Sequence, residues 1–279
     1  MNSISAVKTP YNQTVLLGTR WGQMLALACD PYQTASLGFY GEWAREESAL
    51  TCSLLKLGDV ALDVGANIGS MTLPMARKVG PTGLVLAFEP QRAPFYCLCA
   101  NIALNHLLNS VRALNAAASD FDGAIEVPIV DVNKPFNVGG VRLDDPVYDD
   151  ATKLQKEEVP CFKIDSMNLP RVDFIKIDVE TMESKVLAGA SETIDRCKPV
   201  IIAEALHGEI STWEEENIKR MKELFKSHGY DARQIQTKLF SPDNVRYCQD
   251  VIFPGCDHNM IAIPNEREKP EWFLKLPSE

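Results

Sequence analysis

The run Val172-Asp-Phe-Ile-Lys-Ile-Asp178 places chemically able side chains at strand spacing. Phe174, Lys176 and Asp178 share one face by alternation, and Glu180 joins them if the strand continues. A lysine in the middle of a strand buried on both faces is costly without a partner. The spacing therefore supports a structural lysine–carboxylate pair as well as a pair that takes part in catalysis. Asp178 stands at the carboxyl end of the strand, where open α/β sheets bind ligands, and is the first catalytic candidate. His207 follows the apolar run that ends in Glu204 and is expected at the same rim, where an imidazole suits a general base. His106, His228 and His258 fall in helix-end or loop contexts and are read as non-catalytic. Glu180, Glu204 and His207 could also join Asp178 around a divalent magnesium or manganese ion, since hard oxygen ligands suit both metals. The residue types serve either role.

A second constellation lies upstream, in Val60-Ala-Leu-Asp-Val-Gly-Ala-Asn-Ile-Gly-Ser70. It reads as a buried strand ending at Asp63, a loop bracketed by Gly65 and Gly69, and a helix that begins at Ser70. Such a junction admits a ligand against backbone. A dinucleotide fingerprint requires a central glycine where a pyrophosphate approaches, and that position is Asn67 here. The alternative ligand is S-adenosylmethionine, which has no phosphate. Asp63 could hold its ammonium directly or through water, while Gly65, Ala66, Asn67, Gly69 and Ser70 approach its methionine and ribose parts. Glu89, at the end of the next strand, suits both ribose hydroxyls of either cofactor. Ser119 and Asp120, after the third strand, are expected at the adenine edge. The absent phosphate-facing glycine favours S-adenosylmethionine over a nicotinamide dinucleotide.

Elements that alternate in type must hold these groups. Strands are predicted over 60–64, 84–88, 111–117, 172–178, 198–204, 234–240 and 259–263, with shorter ones at 124–130 and 159–164. Helical patterns cover 70–79, 93–106, 182–190 and 212–228, the last clearly amphipathic. Strands separated by helices imply right-handed crossovers and a mostly parallel sheet covered on both faces. Residues 1–50 offer a short strand or hairpin near Trp21 and a helix opening at Tyr40, whose acidic first turn, Glu46 and Glu47, suits a helix N-terminus. They are read as a cap segment, and 51–279 as the cofactor-binding domain. Residues 133–158, rich in Pro, Gly and Asp, are expected to form a long surface excursion near the ligand.

With 46% hydrophobic and 24% charged residues among 279, the composition is that of a globular domain. A net charge of −10 argues against a general nucleic-acid or anionic-membrane surface. Neither a transmembrane run nor a secretory leader pattern is found, so a cytoplasmic location is expected. The eight cysteines form no Cys-x-x-Cys pair, and Cys248, Cys256 and His258 fit no zinc spacing, so buried free thiols are expected.

The ordered motifs resemble the FkbM-type methyltransferases. The resemblance runs through Tyr40-Gly-Glu-Trp43 with Glu46-Glu47, Asp63 to Gly69, Ala87-Phe-Glu-Pro90, Asn101-Ile-Ala-Leu-Asn105 and Ala116 to Asp120. It continues through Asp173 to Glu180, Glu183, Val186 to Ala190, Ile201 to Glu204 with His207, and Asn259 to Pro264. It implies a Rossmann-like class I methyltransferase fold, with a mostly parallel seven-stranded sheet, helices on both faces and an antiparallel last strand. It also implies O-methylation of a hydroxyl on a sugar, in a glycan or lipopolysaccharide, or on a natural product. A nicotinamide-dependent oxidoreductase and a non-catalytic cofactor-binding module are the competing classes. One position departs from the family pattern. Thr181 stands where glycine is usual, and is read as the N-cap of a helix that begins at Met182.

Overall fold

In the computed structural model, residues 13–143, 154–205 and 212–277 are described. His207 and residues 144–153 of the predicted excursion lie outside them.

A seven-stranded sheet organises the chain in the order β11-β12-β10-β9-β3-β4-β5. Its parallel members are β3 (Val60–Val64), β4 (Leu84–Phe88), β5 (Val111–Leu114), β9 (Phe174–Ile177) and β10 (Val200–Glu204). The strand β12 (Cys256–Pro264) inserts antiparallel between β10 and β11 (Tyr230–Lys238). Every predicted strand of this sheet is present, with ends moved by a few residues. Because β4 and β5 extend from one side of β3, and β9 and β10 from the other, the order reverses between β3 and β9. Open α/β sheets bind ligands at such a reversal, beyond the carboxyl ends of the strands.

Alternation along the strands sends apolar side chains to two cores. Ala61, Val85, Ala87, Phe174 and Ile202 pack on one face, with Leu55, Leu73, Met75 and Leu98 from the helices that cover it. Those helices are α2 (Arg45–Leu54), α3 (Thr72–Val79) and α4 (Arg92–Leu104). Leu62, Val64, Ile175, Ile177 and Ile201 pack on the other face, against Val186, Leu187, Ile194, Met221 and Phe225. These come from α5 (Glu183–Ala188), α6 (Ser191–Cys197) and α7 (Thr212–Ser227). Asp63 and Lys176 are register partners on the first face, in the layer otherwise filled by apolar residues. That placement decides which elements can reach them.

The N-terminal part forms a hairpin, β1 (Thr14–Thr19) and β2 (Gly22–Leu27), then α1 (Gln33–Tyr40) before α2. Two asparagines, Asn101 in α4 and Asn105 at its C-terminal cap, hold β2. Fully buried Asn101 accepts from Leu25 N at 2.6 Å and donates to Leu25 O at 3.0 Å and Ile68 O at 2.8 Å. Asn105 donates to Gln23 O at 2.7 Å. One side chain thus joins the hairpin to the loop after β3.

Two local expectations are corrected. The predicted third strand ends at Leu114, because the Asn115 amide donates to the carbonyls of Glu89 and Pro90 at 3.0 and 2.9 Å and turns the chain. Ala117–Ala118 instead forms β6, which pairs with β8 (Lys156–Phe162) in a small sheet with β7 (Gly123–Pro128). Thr181 is no N-cap. Its φ is +83°, in the left-handed region, Glu180 before it is at +53°, and α5 starts after Met182 without a side-chain cap. A glycine would suit that backbone better than a β-branched residue. Residues 133–143 run mostly over the surface, as expected, but Val138 and Val141 turn inward and are buried.

Candidate active site

A cavity of about 290 Å3 opens at the reversal between β3 and β9, near the lower end of small-molecule sites, roughly 300–1,000 Å3. Its floor is the loop after β3. Gly65 has φ +88°, and a Cβ there would stand 1.8 Å from the Asp178 carbonyl oxygen, so only glycine lets the two strand ends lie this close. The first three N–H groups of the loop are already bonded. Gly65 N and Ala66 N donate to Phe88 O at 3.0 and 2.9 Å, and Asn67 N donates to Glu89 Oε2 at 2.7 Å. These donors are therefore committed and do not form the open cradle that a pyrophosphate needs. The Ser70 Oγ and the side-chain oxygens of Asn67 and Gln91 are buried without hydrogen-bond partners.

Asp63 is buried at the end of β3, with Thr72 Oγ1 donating to its Oδ2 at 2.5 Å. Burial raises its carboxyl to about 6 against that hydrogen bond. Glu89 accepts from Asn67 N and Gln91 N, one on each oxygen, both at 2.7 Å. Burial still raises it to about 7. Asp63, Gly65, Ala66, Asn67, Ser70 and Glu89 all line the cavity. Gly69 does not; it faces Leu98 and Leu73 beneath the loop.

Ser119 and Asp120 are also absent from the lining, and Ala116, Ala117 and Ala118 stand there instead. The turn at Asn115 explains this, because it moves the later residues one step along. Ser119 N donates to Phe162 O at 3.0 Å, and its carbonyl packs where a Cβ on Gly189 would approach to 1.9 Å.

The groups of the fourth predicted strand do come together. Lys176, 1% exposed, sends Nζ to Asp178 Oδ2 at 3.0 Å and to Glu47 Oε1 at 3.1 Å. The two carboxylates, Asp178 first, raise the lysine well above its ordinary value against burial. Glu47 lies on α2, and was read only as an acid favouring a helix N-terminus. In fact α2 covers the face that carries Lys176, and Glu47 is buried there as the lysine's second partner. The only sequence signal for it was its place in the Tyr40-to-Glu47 motif.

Asp178 is 42% exposed in its side chain and reaches the cavity from the other end of this chain of charges. Glu180 lies 3.9 Å from Arg142 Nε, and Arg142 also donates to Glu214 at 2.6 Å. Burial, then Asp178, raise Glu180 to about 8. Glu183 steadies this segment. Its Oε1 accepts from Val179 N at 2.9 Å and its Oε2 from Asn217 Nδ2 at 2.6 Å.

The excursion lies beside the cavity, as expected, and supplies part of the wall through residues the sequence did not single out. Asn137, Gly139, Gly140 and Val141 come from the excursion, held by Gln91 Nε2 donating to Val138 O at 2.9 Å. Asp257 and Asn259 come from β12. Their position follows from the antiparallel insertion of β12 beside β10, which no local pattern encodes. The resulting lining is strongly acidic. Among the described residues, Asp30, Glu47, Asp63, Glu89, Asp178, Glu180, Glu204 and Asp257 line the cavity, with Lys176 as the sole lining cation.

Residues 63–232 match the family described as Methyltransferase FkbM domain. The chain belongs to this family. Methyltransferase sdnD of Sordaria araneosa is 28% identical over 209 residues, covering 65% of this chain and 77% of the relative. Methyltransferase 1 of Beauveria bassiana is 28% identical over 146 residues, covering 47% of this chain and 58% of the relative. Among solved structures, the chain is similar to the methyltransferase FkbM from Methylobacillus flagellatus, with a TM-score of 0.47 and 17% identity over 75% of this chain; it spans 45% of that protein. The O-methyltransferase from Bacillus cereus, solved with SAH, gives a TM-score of 0.47 and 16% identity over 85% of this chain and 83% of that one. Family membership makes the chain a methyltransferase of FkbM type. No helix among the described residues is long and apolar enough to cross a membrane.

Proposed function

We propose that this methyltransferase uses S-adenosylmethionine to methylate a hydroxyl group, on a sugar of a glycan or lipopolysaccharide or on a natural product. The observation that carries the cofactor is the pairing of an acidic cavity with a glycine loop whose first three N–H donors are already used. A diphosphate would meet carboxylates and find the Gly65, Ala66 and Asn67 N–H groups already engaged. A nucleoside bearing a sulfonium and an ammonium meets carboxylates in the same cavity, among them Asp63, Glu89 and Asp178.

The residues fit this group. Asp63 and the unpartnered Ser70 Oγ are the candidate acceptors for its amino-acid end. Glu89 faces the ribose hydroxyls, with lone pairs remaining on both oxygens. Ala116 to Ala118 offer small apolar side chains to the adenine. When bound, S-adenosylmethionine supplies a methyl group on a positively charged sulfur. Asp178 is then placed to take the proton of the acceptor hydroxyl, while Lys176, braced by Glu47, fixes the carboxylate's direction. Glu180 shapes the acceptor side of the same rim.

The test is transfer of a labelled methyl group to a panel of hydroxylated sugars and natural products. Asp178→Ala should abolish transfer and leave calorimetric binding of S-adenosylhomocysteine nearly unchanged. Transfer by that variant at the wild-type rate would remove Asp178 from the chemistry.

A further inference from the structure

The acceptor end of the cavity carries more negative charge than proton abstraction requires. One carboxylate suffices to take a hydroxyl proton. Yet ligand oxygens of Asp178, Glu180 and Glu204 all lie within 4.8 Å of one another. Oxygens that share a hard divalent ion sit at roughly 2.0–2.6 Å from it, hence roughly 3–5 Å apart. The three come from different turns of the chain, the first two after β9 and the third at the end of β10. Their convergence is a product of the sheet and not of local sequence.

The cations nearby are already engaged. Lys176 is shared between Glu47 and Asp178, and Arg142 stands closer to Glu214, at 2.6 Å, than to Glu180, at 3.9 Å.

A separate observation points to a bound species. Asn259 is the register partner of Glu204 across β10 and β12, is 3% exposed, and lines the same cavity. It hydrogen-bonds Glu47, but its side-chain oxygen Oδ1 is buried with no partner. A buried amide oxygen left unmatched is costly. A metal-bound water, whose hydrogens are strongly polarised, is the donor that such an oxygen lacks.

We infer that Asp178, Glu180 and Glu204 together bind one divalent cation of the magnesium or manganese class, with a water on that ion hydrogen-bonded to Asn259 Oδ1. The ion adds to the proposed methyl transfer, and so rests on it, by binding the acceptor oxygen and easing transfer of its proton to a free lone pair of Asp178. Asp178 can contribute one oxygen to the ion while the other stays with Lys176.

The test is titration of the full chain with Mn2+, followed by the electron paramagnetic resonance signal of the free ion, with and without S-adenosylhomocysteine. One bound Mn2+ per chain, displaced by Mg2+, is expected. Asn259→Ala should weaken it about tenfold or more, as loss of an outer-shell partner does. Glu204→Gln and Glu180→Gln should weaken it further, with each variant's fold checked by its melting curve. Glu180, on a loop and partly exposed, serves if the buried Glu204→Gln chain fails to fold. Absence of bound Mn2+ in a chain that binds S-adenosylhomocysteine overturns the metal site and leaves the cofactor assignment standing. Mn2+ binding unchanged in Glu180→Gln and Glu204→Gln overturns it equally. Failure to bind S-adenosylhomocysteine is a separate result, and it counts against the proposed function instead.

Discussion

Replacing Gly65 by alanine should damage stability and cofactor binding together. The residue has φ +88°, where an L side chain is strained by roughly 1–2 kcal/mol. The added methyl would lie 1.8 Å from the Asp178 carbonyl oxygen and 2.8 Å from its carbon, backbone atoms that cannot rotate away. Relief requires the ends of β3 and β9 to separate, against the 2.9 Å hydrogen bond from Asp178 N to Val64 O. Overpacking of this kind costs about 1–3 kcal/mol, so the total is about 2–5 kcal/mol. The movement would also shift Asp178 and the cavity floor. Urea unfolding gives the first quantity, and calorimetry with S-adenosylhomocysteine gives the second. Gly69→Ala is the control. It has a similar φ, +94°, but its new methyl would meet the movable side chains of Leu98 and Leu73. Its binding loss should be much smaller. A Gly65→Ala chain within about 0.5 kcal/mol of wild type, with unchanged binding, would refute the close approach of the two strand ends.

Three further outcomes follow from the same geometry. Lys176→Met leaves Glu47 buried without its cation and should cost about 3–5 kcal/mol in urea unfolding, much of it recovered when Glu47→Gln is added; a neutral single variant would contradict the buried pairing. Asn101→Leu removes three hydrogen bonds and strands the Leu25 N–H and the Leu25 and Ile68 carbonyls, so a loss of about 3 kcal/mol or more is expected in the same assay. For pH, Asp63, Glu89 and Glu180 are raised to about 6, 7 and 8, burial being the main cause. A raised carboxyl stabilises the fold most fully below its unfolded pKa, near 4, and that contribution is lost as pH rises through the folded value. The urea midpoint of the ligand-free chain should therefore fall as pH rises from about 4 to about 8; a midpoint that climbs over that range would contradict the buried acidic cavity.

Much of this site was legible because its chemistry sits on strand ends. Asp63, Glu89 and Lys176 each fall where alternation and the end of an apolar run place them, so their faces could be read along the chain. Asn67 in place of a phosphate-facing glycine already spoke against a dinucleotide, and the structure adds that its N–H belongs to Glu89. Side-chain commitments to backbone are what the sequence hid. The Asn115 amide breaks the third strand, and that break carries Ser119 and Asp120 away from the cavity. Thr181 looked like a cap by residue type, yet the chain there runs left-handed. Glu47 could be recognised as a motif residue, but its partner lies 129 positions on, across the layer between α2 and β9. Asn259 and Asp257 reach the site only through the antiparallel insertion of β12. Pairings between distant segments of this kind leave no periodic trace.

The central claim is that an acidic cavity with committed loop donors takes a cationic nucleoside and not a dinucleotide. Calorimetric titration of the full chain with S-adenosylmethionine, S-adenosylhomocysteine and NAD tests it most directly. Binding of the first two at one site per chain, with none for NAD, is the predicted result. Binding of NAD in a chain that takes up neither adenosyl compound would contradict it.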